Sequence, residues 1–393
     1  MTANYVATGT SATTDLDDMF VTEYWLVDQY VGGQLYANGS NQATLGDGTA
    51  LSKSSPVQIG SLTNWKQVAC GYQVTAFIKT DNTLWVCGYS TAGQLGQGNT
   101  TTKNSPVQVG ALTNWANVSV GNFTTASVKT DGTLWTWGLN SSGQLGLGNA
   151  VNRSSPTQVG VLTNWKSVSI FSQAHTAAIK TDGTLWTWGL NGNGQLGNST
   201  ILSQSSPVQI GSLTNWKQIA TGDLHTAAVK TDGTLWTWGD NTFAQLGLGD
   251  LTSRSSPVQV GSLSDWKQVS CSFHGASSIT GLTVALKNDG TMWAMGNNSG
   301  GELLTIVALG AIISSPMQLG TLTNWKQITC FSQSIAAVKT DGTLWGWGAN
   351  QFGQISSPPN TGLSSPVQVG SLTNWKQVSG GYYYIGVVTN TTI

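Results

Sequence analysis

The sequence predicts an all-β fold, a seven-bladed β-propeller of four-stranded antiparallel blades. Three observations carry this: a motif that recurs seven times, a two-residue alternation inside each repeat, and two half-repeats at opposite ends of the chain. The motif Ser-Pro-x-Gln-(apolar)-Gly places prolines at Pro56, Pro106, Pro156, Pro207, Pro257, Pro316 and Pro366, spaced 50, 50, 51, 50, 59 and 50 residues. A tryptophan follows each one, from Trp65 to Trp375. A further motif, Lys-x-Asp-(Gly/Asn)-Thr-x-Trp, ends at Trp85, Trp135, Trp186, Trp236, Trp293 and Trp345, with another tryptophan two residues on in four repeats. Only Trp25 of the 18 tryptophans falls outside these positions.

One unit, residues 112–160, justifies the strands in order. Trp115 to Val120 alternates and ends at Gly121, giving strand A; Thr124 to Lys129 gives strand B. Asp131-Gly132 predicts a two-residue hairpin turn, since such turns need positive φ. Thr133 to Gly138 is strand C, with Trp135 and Trp137 on one face. After a Gly- and Asn-rich loop, Pro156 to Gly160 is strand D, where a proline suits an outer edge because its missing N–H is not needed. Repetition of such a unit is the signature of a propeller blade. The chain stops after strands A and B of the last unit, and Gly33 to Gly39 with Pro56 to Gly60 supply strands C and D. Two strands from each end therefore build one composite blade and remove the open edges. The domains are an arm, residues 1–30, and the propeller, residues 31–393.

Composition excludes several classes. Charged residues are 8% of the chain against about 25% in an average soluble domain. Net charge is −1 without a basic block, so nucleic acid is not an expected partner. No stretch reaches the roughly 18 apolar residues of a transmembrane helix, so no membrane insertion is expected. The first thirty residues carry no basic segment followed by an apolar run, the pattern of an export signal. Four dispersed cysteines, Cys70, Cys87, Cys271 and Cys330, make neither a disulfide framework nor a zinc site; reduced, buried thiols are expected.

The string Gly-x-x-His-Thr-x-Ala-x-Lys-x-Asp-Gly-x-Leu-Trp-x-Trp-Gly-x-Asn-x-x-Gly-Gln-Leu-Gly, nearly complete from Gly222 to Gly247 with Ala244 in place of one Gly, resembles the regulator of chromosome condensation repeat. The resemblance covers residues 33–390. It implies the seven-bladed fold and leaves function open, because such propellers include a guanine-nucleotide exchange factor that binds chromatin, an inhibitor of β-lactamases, and bacterial and viral chains.

The motifs that could carry chemistry have structural readings. His175 and His225 occupy the repeat's His position, and His274 lies near it; Val74, Thr124, Ser334 and Tyr384 fill the same slot elsewhere, so a repeat hydrogen bond is expected rather than a metal site. Gly192-x-Gly194-x-x-Gly197 opens no helix and is one copy of the C–D loop. The Asp residues of the Lys-x-Asp motif are turn formers. No nucleophilic triad recurs in register. Catalysis, a cofactor and a metal are therefore not expected. Twelve of the sixteen basic residues repeat two positions, one after the blade tryptophan (Lys66) and one before the turn (Lys79). Positive charge is thereby spread around the ring, with no concentrated patch for a DNA or histone partner.

Two features break the repeat. The arm holds Asp15, Asp17, Asp18, Glu23 and Asp28, no basic residue, and the aromatic residues Phe20, Tyr24 and Trp25. The fifth repeat is longer, with an insertion around Gly275 to Gly281 near His274 and an apolar run from Leu303 to Ile313 in place of the polar loop. Both insertions fall in loops on one face. The run is read as a docking surface anchored by Leu303, Leu304, Ile306, Val307 and Leu309, or else as a plug folded into the propeller mouth. The blade tryptophans, Trp135 and Trp186 among them, are expected between blades. The function expected is a non-enzymatic structural or recognition propeller in a larger assembly, such as a phage decoration, tail or adhesin protein. Its partners would be proteins, including a host surface receptor, and its place the virion or cell surface. The alternative is a cytoplasmic regulator, an exchange-factor-like scaffold or a protein inhibitor of an enzyme.

Overall fold

The computed structural model describes residues 32–170, 175–272, 281–304, 308–355, 358–359 and 362–390. Seven four-stranded antiparallel sheets follow one another around a ring, and no helix occurs among the described residues. In blade 1 strand A is Trp65–Cys70, B is Val74–Lys79, C is Leu84–Gly88 and D is Lys103–Gln108. Blades 2 to 6 begin at Trp115, Trp165, Trp216, Trp266 and Trp325. Blade 7 joins A and B, Trp375–Gly380 and Tyr384–Thr389, to C and D, Leu35–Gly39 and Lys53–Gln58. Its central register pairs Leu35 with Val388 and Gly39 with Tyr384, so the expected two-plus-two closure is present.

The apolar core lies between blades. Each of seven clusters combines one blade's strands with the next blade's tryptophans; Leu84, Val86 and Leu95 of blade 1 meet Trp115 and Trp137 of blade 2. The strand-A tryptophans are only 1–3% exposed, and Trp137, Trp188, Trp238 and Trp347 are at most 1% exposed. Trp135 and Trp186 depart from expectation: they are half-buried. They sit at the end of strand C beside the hairpin, where the joint opens toward solvent. A lysine caps each, with Lys129 Nζ 3.7 Å from the Trp135 ring centroid and Lys180 Nζ 3.6 Å from that of Trp186.

The B–C hairpin also differs from the two-residue expectation. Lys129 N–H donates to the Thr133 carbonyl and Gly132 N–H to the Lys129 carbonyl, so three residues form the loop. Gly132 takes φ 76°, and Asp131 Oδ1 accepts the Thr133 N–H at 2.9 Å. This is a type I turn followed by a left-handed residue, and the glycine serves that last position.

Polar staples hold the innermost strands together. Gln377 Nε2 donates to the Val68 carbonyl at 2.8 Å while its Oε1 accepts the Val68 N–H at 3.1 Å, across the joint that closes the ring. Gln67, Gln218 and Gln268 repeat this double bond to the blade that follows. Each staple satisfies two buried backbone groups that no sheet partner reaches.

Candidate functional site

The end of the ring that carries the A–B and C–D loops, the upper face, is where the sequence departs most from its repeat. Of the residues expected to act there, Leu303 is fully buried. It packs with Leu282, Val284 and Trp347 in the core between blades 5 and 6. Its N–H donates to Asn298 Oδ1 at 2.8 Å, as Leu246 N–H does to Asn241 Oδ1 at 3.0 Å. Leu303 is thus the leucine of the Gly-Gln-Leu-Gly loop, and the docking role expected of it is corrected to a core role. The sequence disguised it because Glu302 replaces Gln and Leu304 replaces Gly. Leu304 keeps the left-handed backbone of that glycine, φ 65°, and its half-buried side chain rests on the same core. Leu309 is 73% exposed and Ile312 43%, so two large apolar side chains of the described part of the run face solvent. Ile306, Val307, His274, Phe20, Tyr24 and Trp25 lie outside the described residues.

Glu302 is a buried carboxylate. Burial pushes its pKa up to about 7, against which the Glu302 and Gly300 backbone N–H groups act. Gly300 N–H donates to Oε2 at 2.7 Å, the bond that Gln245 makes with Phe243 in blade 4. The carboxylate therefore does the work of a repeat amide and is structural.

The histidines are structural as well. His175 Nε2 lies 2.9 Å from Thr226 Oγ1, and His225 Nε2 3.0 Å from Thr283 Oγ1, each in the following blade. Because those hydroxyls donate to the Gln195 and Gln245 carbonyls, the imidazoles donate from Nε2. Burial lowers His175 to about 3 and His225 to about 4, so both are neutral near pH 7. Tyr384 closes the ring in the same slot, its hydroxyl 2.9 Å from Thr75 Oγ1. No group of three metal-ligating side chains occurs among the described residues. The four cysteines are buried free thiols, and burial pushes Cys70 and Cys271 up to about 12.

The feature that sequence reasoning missed is an arc of aromatic rings on the upper face. Phe123, Tyr72, Tyr382, Tyr383 and Phe352 follow one another with centroid separations of 6.3, 4.3, 4.1 and 5.1 Å. Four come from the A–B loops of blades 2, 1 and 7, and Phe352 comes from the C–D loop of blade 6. Backbone bonds fix the loops to one another: Tyr382 N–H donates to the Gly71 carbonyl and Tyr72 N–H to that of Gly121. Tyr383 adopts φ 61°, a strained choice for a tyrosine, and its carbonyl takes the Ser40 N–H. All five rings keep part of their surface in solvent. Burial, then Tyr383 and Tyr72, hold the Tyr382 phenol protonated. The arc offers flat apolar area edged by hydroxyl groups, the combination enriched in protein-binding hot spots. The only sequence signal was the aromatic content of three A–B loops whose counterparts in blades 4 and 6 hold Leu224 and Gln333.

Comparison with known proteins accords with the fold and the repeat. No curated protein sequence matches the chain. Among solved structures, human WBSCR16 superposes with TM-score 0.80 at 19% identity, covering 92% of this chain and 100% of that one. Yeast RCC1 (Prp20), in its complex with Kap60, superposes with TM-score 0.81 at 17% identity, covering 100% and 97%. Prp20p of Saccharomyces cerevisiae, described with its binding to Gsp1p and histones, gives TM-score 0.79 at 16% identity over 98% and 96%. These likenesses show the seven-bladed fold. The Regulator of chromosome condensation (RCC1) repeat matches residues 32–78, 81–128, 131–179, 182–229, 232–274 and 341–388, which is most of the chain, and the protein belongs to the RCC1 repeat family.

Proposed function

We propose that this protein is a non-enzymatic recognition propeller of the regulator type, which binds a protein partner on its upper face. The observation that carries the reading is the five-ring aromatic arc from Phe123 to Phe352. It sits on backbone fixed by interblade hydrogen bonds, so little ordering opposes association. The relatives favour this regulator reading over a virus-particle or cell-surface component: Prp20 is described bound to Kap60 and binding Gsp1p and histones. The partner here need not be one of those, because the propeller's basic residues are distributed evenly around the ring.

The test is quantitative affinity purification of the intact protein beside two variants. Tyr72→Ser with Tyr382→Ser removes the centre of the arc, while Leu309→Ser alters the blade 5 loop. The expected result is at least tenfold loss of one saturable protein partner with the arc variant only, at unchanged thermal midpoint. Retention of every partner by a folded arc variant would refute the reading. Loss with Leu309→Ser alone would return recognition to the blade 5 loop.

A further inference from the structure

The opposite, lower face carries the D–A connections and the B–C hairpins, and its chemistry is distinct. Each of the seven connections exposes a leucine, from Leu62 to Leu372, with 37–47% of its surface in solvent. One apolar side chain exposed per blade, at the same level each time, makes a recurring apolar collar. Six lysines stand at one register position directly after the strand-A tryptophan: Lys66, Lys166, Lys217, Lys267, Lys326 and Lys376. All are on innermost strands, so they ring the axis. Lys66 and Lys376 adjoin across the closing joint, and Lys66 Nζ is bonded at 3.1 Å to the neutral amide oxygen of Asn82.

The other charges of this face largely offset one another. Each lysine of the Lys79 type has the hairpin aspartate two residues on, as Lys79 has Asp81. Asp265 pairs with Lys287 at 3.4 Å. By formal charge the described lower face carries twelve lysines against seven aspartates. Among the described residues the lysines and arginines of the upper end are Lys53, Lys103, Arg153 and Arg254, beside carboxylates such as Asp47 and Asp250.

The chain enters the propeller at this same face. Gly33 N–H donates to the Trp65 carbonyl at 2.8 Å and accepts at its own carbonyl the Trp65 N–H at 3.1 Å. Gly32 lies so close to the first D–A connection that a Cβ there would stand 2.3 Å from Asn64 Cα. Gly32, to which residues 1–31 attach, thus stands against the connection that carries Leu62, at the edge of the collar. Their sequence has five carboxylates, no basic side chain and the apolar rings of Phe20 and Trp25. Asp28 is four residues from Gly32, about 13 Å of extended chain.

We infer that residues 1–31 are the occupant of the lower face, their carboxylates set against the inner lysine ring and their aromatic side chains against the leucine collar. Charge sign, apolar content and point of departure each select this segment. Covalent attachment makes the docking intramolecular, at an effective concentration on the order of millimolar, so weak individual contacts suffice. An external acidic ligand for this face then has to displace the arm first.

The test uses the full chain and zero-length carbodiimide coupling of carboxylates to amines, read by mass spectrometry. Asp265–Lys287 at 3.4 Å and Asp47–Lys53 at 3.5 Å are internal controls that must couple. The expected products join Asp15, Asp17, Asp18, Glu23 or Asp28 to the six inner lysines within the monomer band. They should fall at least threefold in 0.5 M salt, where screening length drops to about 4 Å. Coupling to Lys53 or Lys103, or no coupling of the arm while the controls react, overturns the inference. Coupling found only in a dimer band overturns it too and assigns the face to a second copy. A second measurement needs no coupling: with all five arm carboxylates changed to amides (Asp15→Asn, Asp17→Asn, Asp18→Asn, Glu23→Gln, Asp28→Asn), acetylation of the six lysines should accelerate at least threefold and that of Lys103 stay unchanged. Equal rates in both proteins refute docking.

Discussion

Blades 4 and 5 solve the same packing problem with opposite chemistry. Blade 4 keeps the repeat residue at His225, Trp238, Gln245 and Gly247. Blade 5 has Leu282, Met295, Glu302 and Leu304 at those positions. In the polar version His175, in blade 3, donates to Thr226 of blade 4; Thr226 and Trp238 Nε1 both donate to the Gln195 carbonyl, each at 2.9 Å. In the apolar version Leu282 of blade 5 and Ile335 of blade 6 share one core, and both are fully or almost fully buried. His has become Leu and Thr has become Ile on the two sides of one joint. Replacing both partners of a buried hydrogen bond is nearly neutral, whereas replacing one strands a polar group. The joint between blades 5 and 6 has changed as a pair, whereas in the joint between blades 1 and 2 Val74 replaces His while Thr125 stays, its hydroxyl still satisfied by the Gln94 carbonyl at 2.8 Å.

The largest effect should come from breaking the joint that both kinds of blade depend on. Deleting residues 31–60 removes strands C and D of blade 7 and exposes Val387 and Val388 of strand B, both now buried. Cooperative thermal unfolding should be lost. A truncation that melts like the full chain would show that the ring closes without the N-terminal strands.

Next comes the tryptophan exchange. Trp238→Ala should cost about 3–5 kcal/mol in chemical denaturation, because a fully buried indole and its bond to Gln195 are both lost. The sharper variant is Met295→Trp in blade 5. Gly247 faces Met295 as closely as Gly197 faces Trp238, so the glycine that lies against the indole in blade 4 has its counterpart here. Stability should then stay within about 1 kcal/mol of the parent. A loss of more than twice that would show that the blade 4–5 joint has repacked around methionine and that the two versions are not interchangeable position by position.

These cases mark what the sequence could disclose. Strand order, the seven-fold count and the composite blade follow from spacing, which is a one-dimensional property. The roles of Leu303 and Trp135 do not. Leu303 lost its flanking Gln and Gly while the backbone kept their conformation, so the motif vanished and the fold position remained. Trp135 has the same two-residue phase as Trp137, yet stands one pair nearer the open end of the joint. The His175–Thr226 bond spans 51 residues and joins two repeats, so no pattern within one repeat announces it. The aromatic arc depends on A–B loops of different blades meeting near the axis, which is a property of the closed ring.

Glu302 gives the third contrast, between amide and carboxylate at one loop position. Its folded pKa of about 7 lies above its ordinary 4.5, so the fold favours the neutral acid. The unfolded chain holds fewer protons than the folded one between those values. Stability therefore falls as pH rises from 4.5 to 7 and stays low beyond it. Glu302→Gln restores the repeat amide and should stabilise by about 3 kcal/mol at pH 8, with little effect at pH 4. Gln245 in blade 4 supplies the reference, because its amide carries no charge at either pH. Equal stability of variant and parent at pH 8 would mean that water or a cation neutralises the carboxylate.

The smallest effect separates the capping lysines. Lys230 Nζ sits 3.6 Å from the Trp236 centroid and 4.7 Å from that of Trp216. Lys287 is drawn off to 4.4 Å from Trp293 and pairs instead with Asp265, whose side chain is 44% exposed. In most of the connections Asn stands where blade 5 has Asp265, so one substitution moves the lysine from ring toward carboxylate. Lys230→Met should cost about 1 kcal/mol, since a partly desolvated cation over two rings is lost. That cost should change little between 0.05 and 0.5 M salt, because the rings carry no net charge to screen. Lys287→Met should cost less, and its cost should shrink further as salt shields the exposed carboxylate. Measured by urea denaturation at both salts, a salt-dependent loss at Lys230 would mean that Asp232, and not the tryptophan pair, is the partner that holds it. Asp265→Asn tests the same point from the other side. It should let Lys287 return over Trp293 and make the salt response of Lys287→Met match that of Lys230→Met.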